Sequence, residues 1–124
     1  MNDKNVLFER IEQFTMEVHQ IVDAIPSRKI TVNSILEQLA RSSLSCSLNY
    51  SEAISAESRK DFIHKLRIVL KELRETTTCL RLLKHRGTKG SEDSLESVLT
   101  ESDELGAIIY SSIRTAERSL KRPQ

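Results

Sequence analysis

Asp61 and His64 stand three apart, the acid-x-x-His spacing with which di-iron carboxylate bundles ligate metal. Such a centre needs two of these motifs and two further carboxylates on facing helices, and the sequence offers one motif. His19, His64 and His85 are far apart and have no Cys or His neighbour at ligand spacing. Cys46 and Cys79 form no CxxC pair and read as reduced, buried thiols. No serine sits in a G-x-S-x-G elbow, and "GTKG" at 87–90 is shorter than a phosphate-cradling loop. The expectation is therefore a protein with no catalytic residues, no metal and no cofactor.

Charge carries more information. Residues 58–90 hold Arg59, Lys60, Lys65, Arg67, Lys71, Arg74, Arg81, Lys84, Arg86 and Lys89 against Asp61, Glu72 and Glu75, a balance of +7. Residues 1–57 and 91–124 each carry −3, so the whole chain is +1. Two readings stay open. The basic stretch pairs with acidic helices of the same bundle or of an oligomer, each exposed pair contributing at most about 1 kcal/mol. Alternatively it presents a cationic surface to nucleic-acid phosphates, with Lys60, Arg67, Lys71 and Arg74 as the candidate patch. Aromatic residues are 4% and do not interleave with these cations, so no base-stacking platform is expected.

A second constellation lies in "NYSEAISAESRKDFIHKL", residues 49–66. Asn49 and Glu52 are three apart and share one helix face. A glutamate in the last turn of a helix opposes its dipole and needs a partner. The expected partner is Arg59 or the first amides of the following helix, with Asn49 bracing the corner. A ligand site or a subunit contact is the alternative.

The elements that position these residues follow from periodicity. The chain has three Gly and two Pro in 124 residues, few breakpoints for a single domain spanning 1–124. Leu7, Ile11, Phe14, Val18, Ile21 and Ile25 form one apolar stripe, ended by Pro26. Val32, Ile35, Leu39, Cys46 and Ala53 form a second, with Leu36 and Tyr50 beside it and Thr31 or Asn33 as cap. Four serines between Arg41 and Leu48 suit a helix whose neighbour comes close, with hydroxyls bonding into their own helix. Phe62, Leu66, Val69, Leu73, Leu80 and Leu83 line a third helix, capped by Ser58. Leu95, Val98, Leu99, Leu105, Ile109 and Ile113 line a fourth, capped by Ser91 with Glu92 and Asp93 against its dipole. The tail "LKRPQ" is expected to fray. Helices at roughly 4–25, 32–54, 59–85 and 92–120 predict an all-α, antiparallel up-and-down four-helix bundle. No run reaches the roughly 18 apolar residues of a membrane span, and the N-terminus lacks signal-peptide features, so no membrane partner and a cytoplasmic setting are expected.

Residues 35–84 carry a family pattern. Gln38-Leu39, Arg41, Ser45, Asn49 and Glu52 precede the run Ser58-Arg59-Lys60-Asp61-Phe62. Leu66, Glu72-Leu73, Glu75-Thr76, Leu80 and Leu82-Leu83 follow. This resembles the four-helix-bundle proteins encoded by intervening sequences in bacterial 23S ribosomal RNA genes. The pattern's usual Gly is Ala53 here, its Ile is Cys46 and its Ala is Val69, changes of side-chain size within a kept frame. The resemblance implies a left-handed bundle that assembles as a ring, typically a homopentamer, with no known enzymatic activity and a role as scaffold or interaction module. Related bundles are accessory factors of reverse transcriptases that bind nucleic acid through a basic surface, which implies RNA or another nucleic acid as the alternative partner.

Overall fold

The apolar stripes close on one another in chain order. A computed structural model describes residues 3–27 and 29–121. It places α1 at Asp3–Ala24, α2 at Ile30–Ile54, α3 at Arg59–Arg86 and α4 at Glu92–Lys121, with no strand among the described residues. Consecutive helices run antiparallel and pack side by side, and α1 closes on α4. Diagonal helices have no close backbone approach, although Lys4 Nζ on α1 reaches across to lie 4.6 Å from the Phe62 ring centroid on α3. The fold is an up-and-down four-helix bundle. Its α2–α3 contact is the most extensive and its α1–α4 contact the thinnest.

The helix ends show how local sequence sets the elements. Helix α2 begins at Ile30, earlier than expected, and Thr31 and Asn33 lie inside it rather than capping it. Lys29 occupies the cap position and its side chain makes no capping bond. Ser27 Oγ accepts the Lys29 N–H at 3.1 Å, turning the chain just after Pro26, so Ile30 is already helical. At α3, Ser58 Oγ accepts the Asp61 N–H at 3.1 Å, satisfying an amide the first turn leaves free. Gly87 stops α3 at φ 78°, a conformation side chains disfavour, and its N–H reaches the Leu83 carbonyl at 3.0 Å. Ser91 takes the cap place of α4 through its carbonyl, which accepts the Leu95 N–H at 2.9 Å. Leu120 and Lys121 are helical, and the rest of the tail expected to fray, residues 122–124, lies outside the described residues.

The core is aliphatic, with Phe14 and Tyr50 as its two large aromatic members. On α2 the buried line runs Val32, Leu36, Leu39, Ser43, Cys46, Tyr50 and Ala53, while Ile35 is half-buried. The stripe axis therefore passes through Leu36 and Tyr50, one residue away from the expected one. Its 4-3 alternation is the left-handed packing pattern of four-helix bundles.

Midway along the bundle a belt of hydroxyls crosses this core. Thr15 on α1 donates to the Ser43 carbonyl at 2.9 Å and lies 2.7 Å from Ser47 Oγ. Ser42 on α2 meets Thr76 on α3 at 2.8 Å, and Thr76 also reaches the Glu72 carbonyl. Thr77 on α3 pairs with Ser102 on α4. The α2 serines thus do more than bond within their own helix. Ser42 and Ser43 are fully buried, and the small side chains admit hydroxyl partners from both neighbouring helices. A buried hydroxyl is costly unless bonded. Each hydroxyl of this belt is bonded, and several of the bonds cross between helices, so a slip of one helix would orphan them.

Candidate functional site

Helix α3 turns its core residues inward, which leaves Lys60, Arg67, Lys71 and Arg74 exposed on its outer side. Arg67, Lys71 and Arg74 come together around an open hollow of about 690 Å³. Gln38 and Arg41 border it from α2, and Leu70 and Cys79 lie among the cations. Lys60 lies outside it. The sequence row is thus three residues in one place and a fourth toward the helix start.

Ion pairing divides the cations of α3. Arg67 bonds Glu117 at 2.6 Å, Lys84 bonds Glu96 at 2.5 Å and Arg81 approaches Asp103 at 3.7 Å, all on α4. Lys65 bonds Glu52 on α2 at 2.8 Å, which raises the Lys65 ammonium pKa above its ordinary value. The carboxylates of α3 serve α2 in return, since Arg41 bonds Glu72 at 3.2 Å and Glu75 at 2.5 Å. The hydrogen bond to Glu75, then that to Glu72, raises the Arg41 guanidinium pKa. Among the described residues Lys60, Lys71 and Arg74 have no ion-pair partner. Complementary pairing within the bundle accounts for part of the basic stretch and leaves these three unspent, as it does Arg59, Arg86 and Lys89.

The expected corner between Asn49, Glu52 and Arg59 takes a different form. Glu52 does reach α3, but its carboxylate bonds Lys65, not Arg59 or the first amides. Lys65 lies between one and two turns into α3, and the two antiparallel helices bring it level with Glu52. Arg59 is exposed and makes no ion pair with Glu52. Asn49 does not brace the turn: its Nδ2 donates to the Ser45 carbonyl and to Ser45 Oγ, both at 2.9 Å, within its own helix.

The opposite side of the bundle has the opposite charge. Glu9, Glu12 and Asp23 on α1 are exposed without ion partners among the described residues, and Met16 lies in the same outward row, 56% exposed. Because α1 and α3 are diagonal, this acidic row and the basic row of α3 face away from each other. Closure between α1 and α4 rests on Arg10, which bonds Glu101 at 2.6 Å and Glu104 at 2.7 Å. That bond holds the Glu101 carboxyl below its ordinary range. Nothing local in the sequence marks Arg10, because its partners lie more than ninety positions away.

The two thiols are held protonated. Burial pushes the Cys46 thiol up to about 12 and raises Cys79 as well, so neither is poised as a thiolate. His64 is exposed on α3. Among the described residues no three His, Cys, Asp or Glu side chains cluster as a metal site, and no helix is long and apolar enough to cross a membrane.

The profile of 23S rRNA-intervening sequence proteins matches residues 3–111. A crystal structure of a protein of unknown function from the S23 ribosomal protein family of Bacteroides thetaiotaomicron is similar, with 31% identity and a TM-score of 0.73. The match covers 91% of this chain and 99% of that one. Comparison with curated proteins gives no significant match. The extent of the match and the four-helix architecture agree: this chain belongs to the family of 23S rRNA-intervening sequence proteins.

Proposed function

We propose that this protein is a non-enzymatic interaction module of the cytoplasm that assembles with further copies of itself into a closed ring, five chains being the number its family resemblance implies. The supporting observation is the disposition of charge. The acidic row of α1 (Glu9, Glu12, Asp23) and three unpaired cations of α3 (Lys60, Lys71, Arg74) lie on opposite sides of one bundle. A contact between unlike faces is heterologous, and heterologous contacts generate rings when the rotation closes. Exposed ion pairs contribute at most about 1 kcal/mol each, so they set register and orientation more than affinity. Met16 on the α1 row and half-exposed Leu82 on α3 supply apolar area to the same contact.

The test is solution mass by light scattering at low and at about 0.3 M salt. A mass of several chains that falls for Glu9→Lys/Glu12→Lys, and returns when Lys71→Glu/Arg74→Glu is added, supports the ring. A monomer at every salt concentration overturns it.

A second reading rests on the hollow around Arg67, Lys71 and Arg74, where cations converge over half-buried Leu70. There α3 would hold nucleic-acid phosphates, and binding would weaken steeply with salt. The charge swap separates the two readings. Lys71→Glu/Arg74→Glu abolishes RNA binding in either background, whereas it restores assembly to the Glu9→Lys/Glu12→Lys protein.

A further inference from the structure

The arginines of α3 meet α4 as a ladder with its middle rung changed. Arg67 bonds Glu117 at 2.6 Å, and Arg81 approaches Asp103 at 3.7 Å. Arg74 stands seven residues, about two turns, from each of these arginines, and position 110 stands seven from each of these acids. The antiparallel register therefore brings position 110 level with Arg74. Where the repeat calls for an acid the chain has Tyr110, 51% exposed. A phenol does not neutralise a guanidinium, and Arg74 is exposed with no ion partner among the described residues.

The charge around Tyr110 has one sign. Residues 105–116 of α4, "LGAIIYSSIRTA", contain no carboxylate. The acids that bound this segment are all engaged: Asp103 with Arg81, Glu104 with Arg10 and Glu117 with Arg67. Arg114, one turn beyond Tyr110, is exposed and has no ion partner among the described residues. The phenol thus lies between Arg74 across the groove and Arg114 on its own helix. Arg74 in turn lines the hollow that holds Arg67 and Lys71. One turn before Tyr110, Gly106 adjoins Leu73 of α3 and adds no side chain to the groove. The sequence shows no aromatic among the cations of α3 because this one belongs to α4, and only packing interleaves them.

We infer that Tyr110 is a base-stacking residue and that the α3–α4 groove takes single-stranded nucleic acid. This rests on the nucleic-acid reading of the hollow around Arg67, Lys71 and Arg74, and adds to it the form of the strand. An unpaired base lies flat on the phenol, and Arg74, Lys71 and Arg114 hold phosphates on either side of it. Every base has a π-face, so such a platform tolerates any sequence. Bases inside a duplex are already stacked on one another, so a paired strand gains nothing from Tyr110. The acidic α1 row of another copy competes for the same cations, and the test separates the two occupants.

The experiment is fluorescence anisotropy at low salt with two labelled probes: a short oligo(dT) strand and an abasic deoxyribose-phosphate strand of equal length. The parent should bind oligo(dT) about tenfold tighter than the abasic strand, because stacking adds to the phosphate contacts. Tyr110→Ala should remove that preference and leave the salt dependence of binding unchanged, since the salt slope counts phosphate contacts. Tyr110→Phe should keep the preference. The chain has two tyrosines and no tryptophan, and Tyr50 is buried, so oligo(dT) should also quench the tyrosine emission of the parent. Thermal unfolding confirms that each variant is folded. Equal binding of the two strands by the parent, or parent-like binding of oligo(dT) by Tyr110→Ala, overturns the stacking role. The cationic reading survives that result if Lys71→Glu/Arg74→Glu still abolishes binding. If neither strand binds at low salt, both fall together. A Tyr110→Ala protein that loses solution mass but binds oligo(dT) as the parent does would assign Tyr110 to a contact between copies, which also overturns the inference.

Discussion

The α2–α3 and α1–α4 contacts of this bundle are built differently. The first joins helices that are neighbours in sequence, over the widest contact in the molecule. It is tied by Ser42–Thr76 in the core, Glu52–Lys65 at one end and Arg41 between Glu72 and Glu75 outside. The second joins the first and last helices over the thinnest contact, and among the described residues its ionic cross-link is the Arg10 fork to Glu101 and Glu104. Beyond the shared apolar core, one contact has several polar ties and the other has a single guanidinium fork. The difference suggests that α1 can detach while α2 and α3 stay paired.

Core truncation should have the largest effect and should not respect that division. Leu39 is fully buried, and Leu39→Ala should cost about 3 kcal/mol in urea unfolding. A cost below about 1 kcal/mol would mean that the α2 axis described above is misplaced. Arg10→Ala should cost about 1 kcal/mol, after allowance for its partial exposure, and should speed hydrogen exchange in α1 more than in α2 or α3. Uniform acceleration across all four helices would erase the contrast.

The same fork has a pH signature. Glu101 titrates below its ordinary value of 4.5 in the folded chain, foremost because of the Arg10 hydrogen bond. A lowered carboxyl pKa contributes stability that is present above the unfolded value and is lost as pH falls through the folded one. The melting-temperature gap between the parent and Arg10→Ala should therefore hold at neutral pH and shrink once pH drops below about 4.5. Smaller still, Glu52→Gln should cost about 0.5 kcal/mol or less, because Lys65 and Glu52 are exposed enough to be solvated apart. The thiols offer a last contrast. Under native conditions an alkylating reagent should reach half-buried Cys79 slowly and Cys46 only on unfolding.

The four stripes were legible because apolar spacing reports which helix face is buried, whatever that face touches. The exact axis of α2 was not, since Ile35 and Leu36 are both apolar and only the neighbouring helices decide which turns in. The Glu52 partner eluded local reasoning for a related cause. Arg59 is nearer in sequence, but antiparallel packing puts Lys65 level with Glu52. No local pattern marks Thr15, Thr76, Thr77 and Ser102 as partners, because their bonds exist only once three interfaces are assembled. The cations of α3 without an ion partner could be counted in the sequence among its Lys and Arg but not told from their paired neighbours, because that distinction belongs to the partner helices.

Packing each helix on its chain neighbour also sets a timetable. Contacts close along the chain form quickly, because little loop entropy is lost in making them. The α2–α3 hairpin can therefore assemble as soon as residue 86 is available, whereas the α1–α4 closure must wait for the last helix. Folding kinetics should record this order. A destabilising change at Leu66 should slow refolding, and Arg10→Ala should mainly hasten unfolding. During synthesis α1 and the α2–α3 hairpin would wait with one side open for α4, and for that interval their exposed apolar surface would be the part of this protein most prone to aggregation.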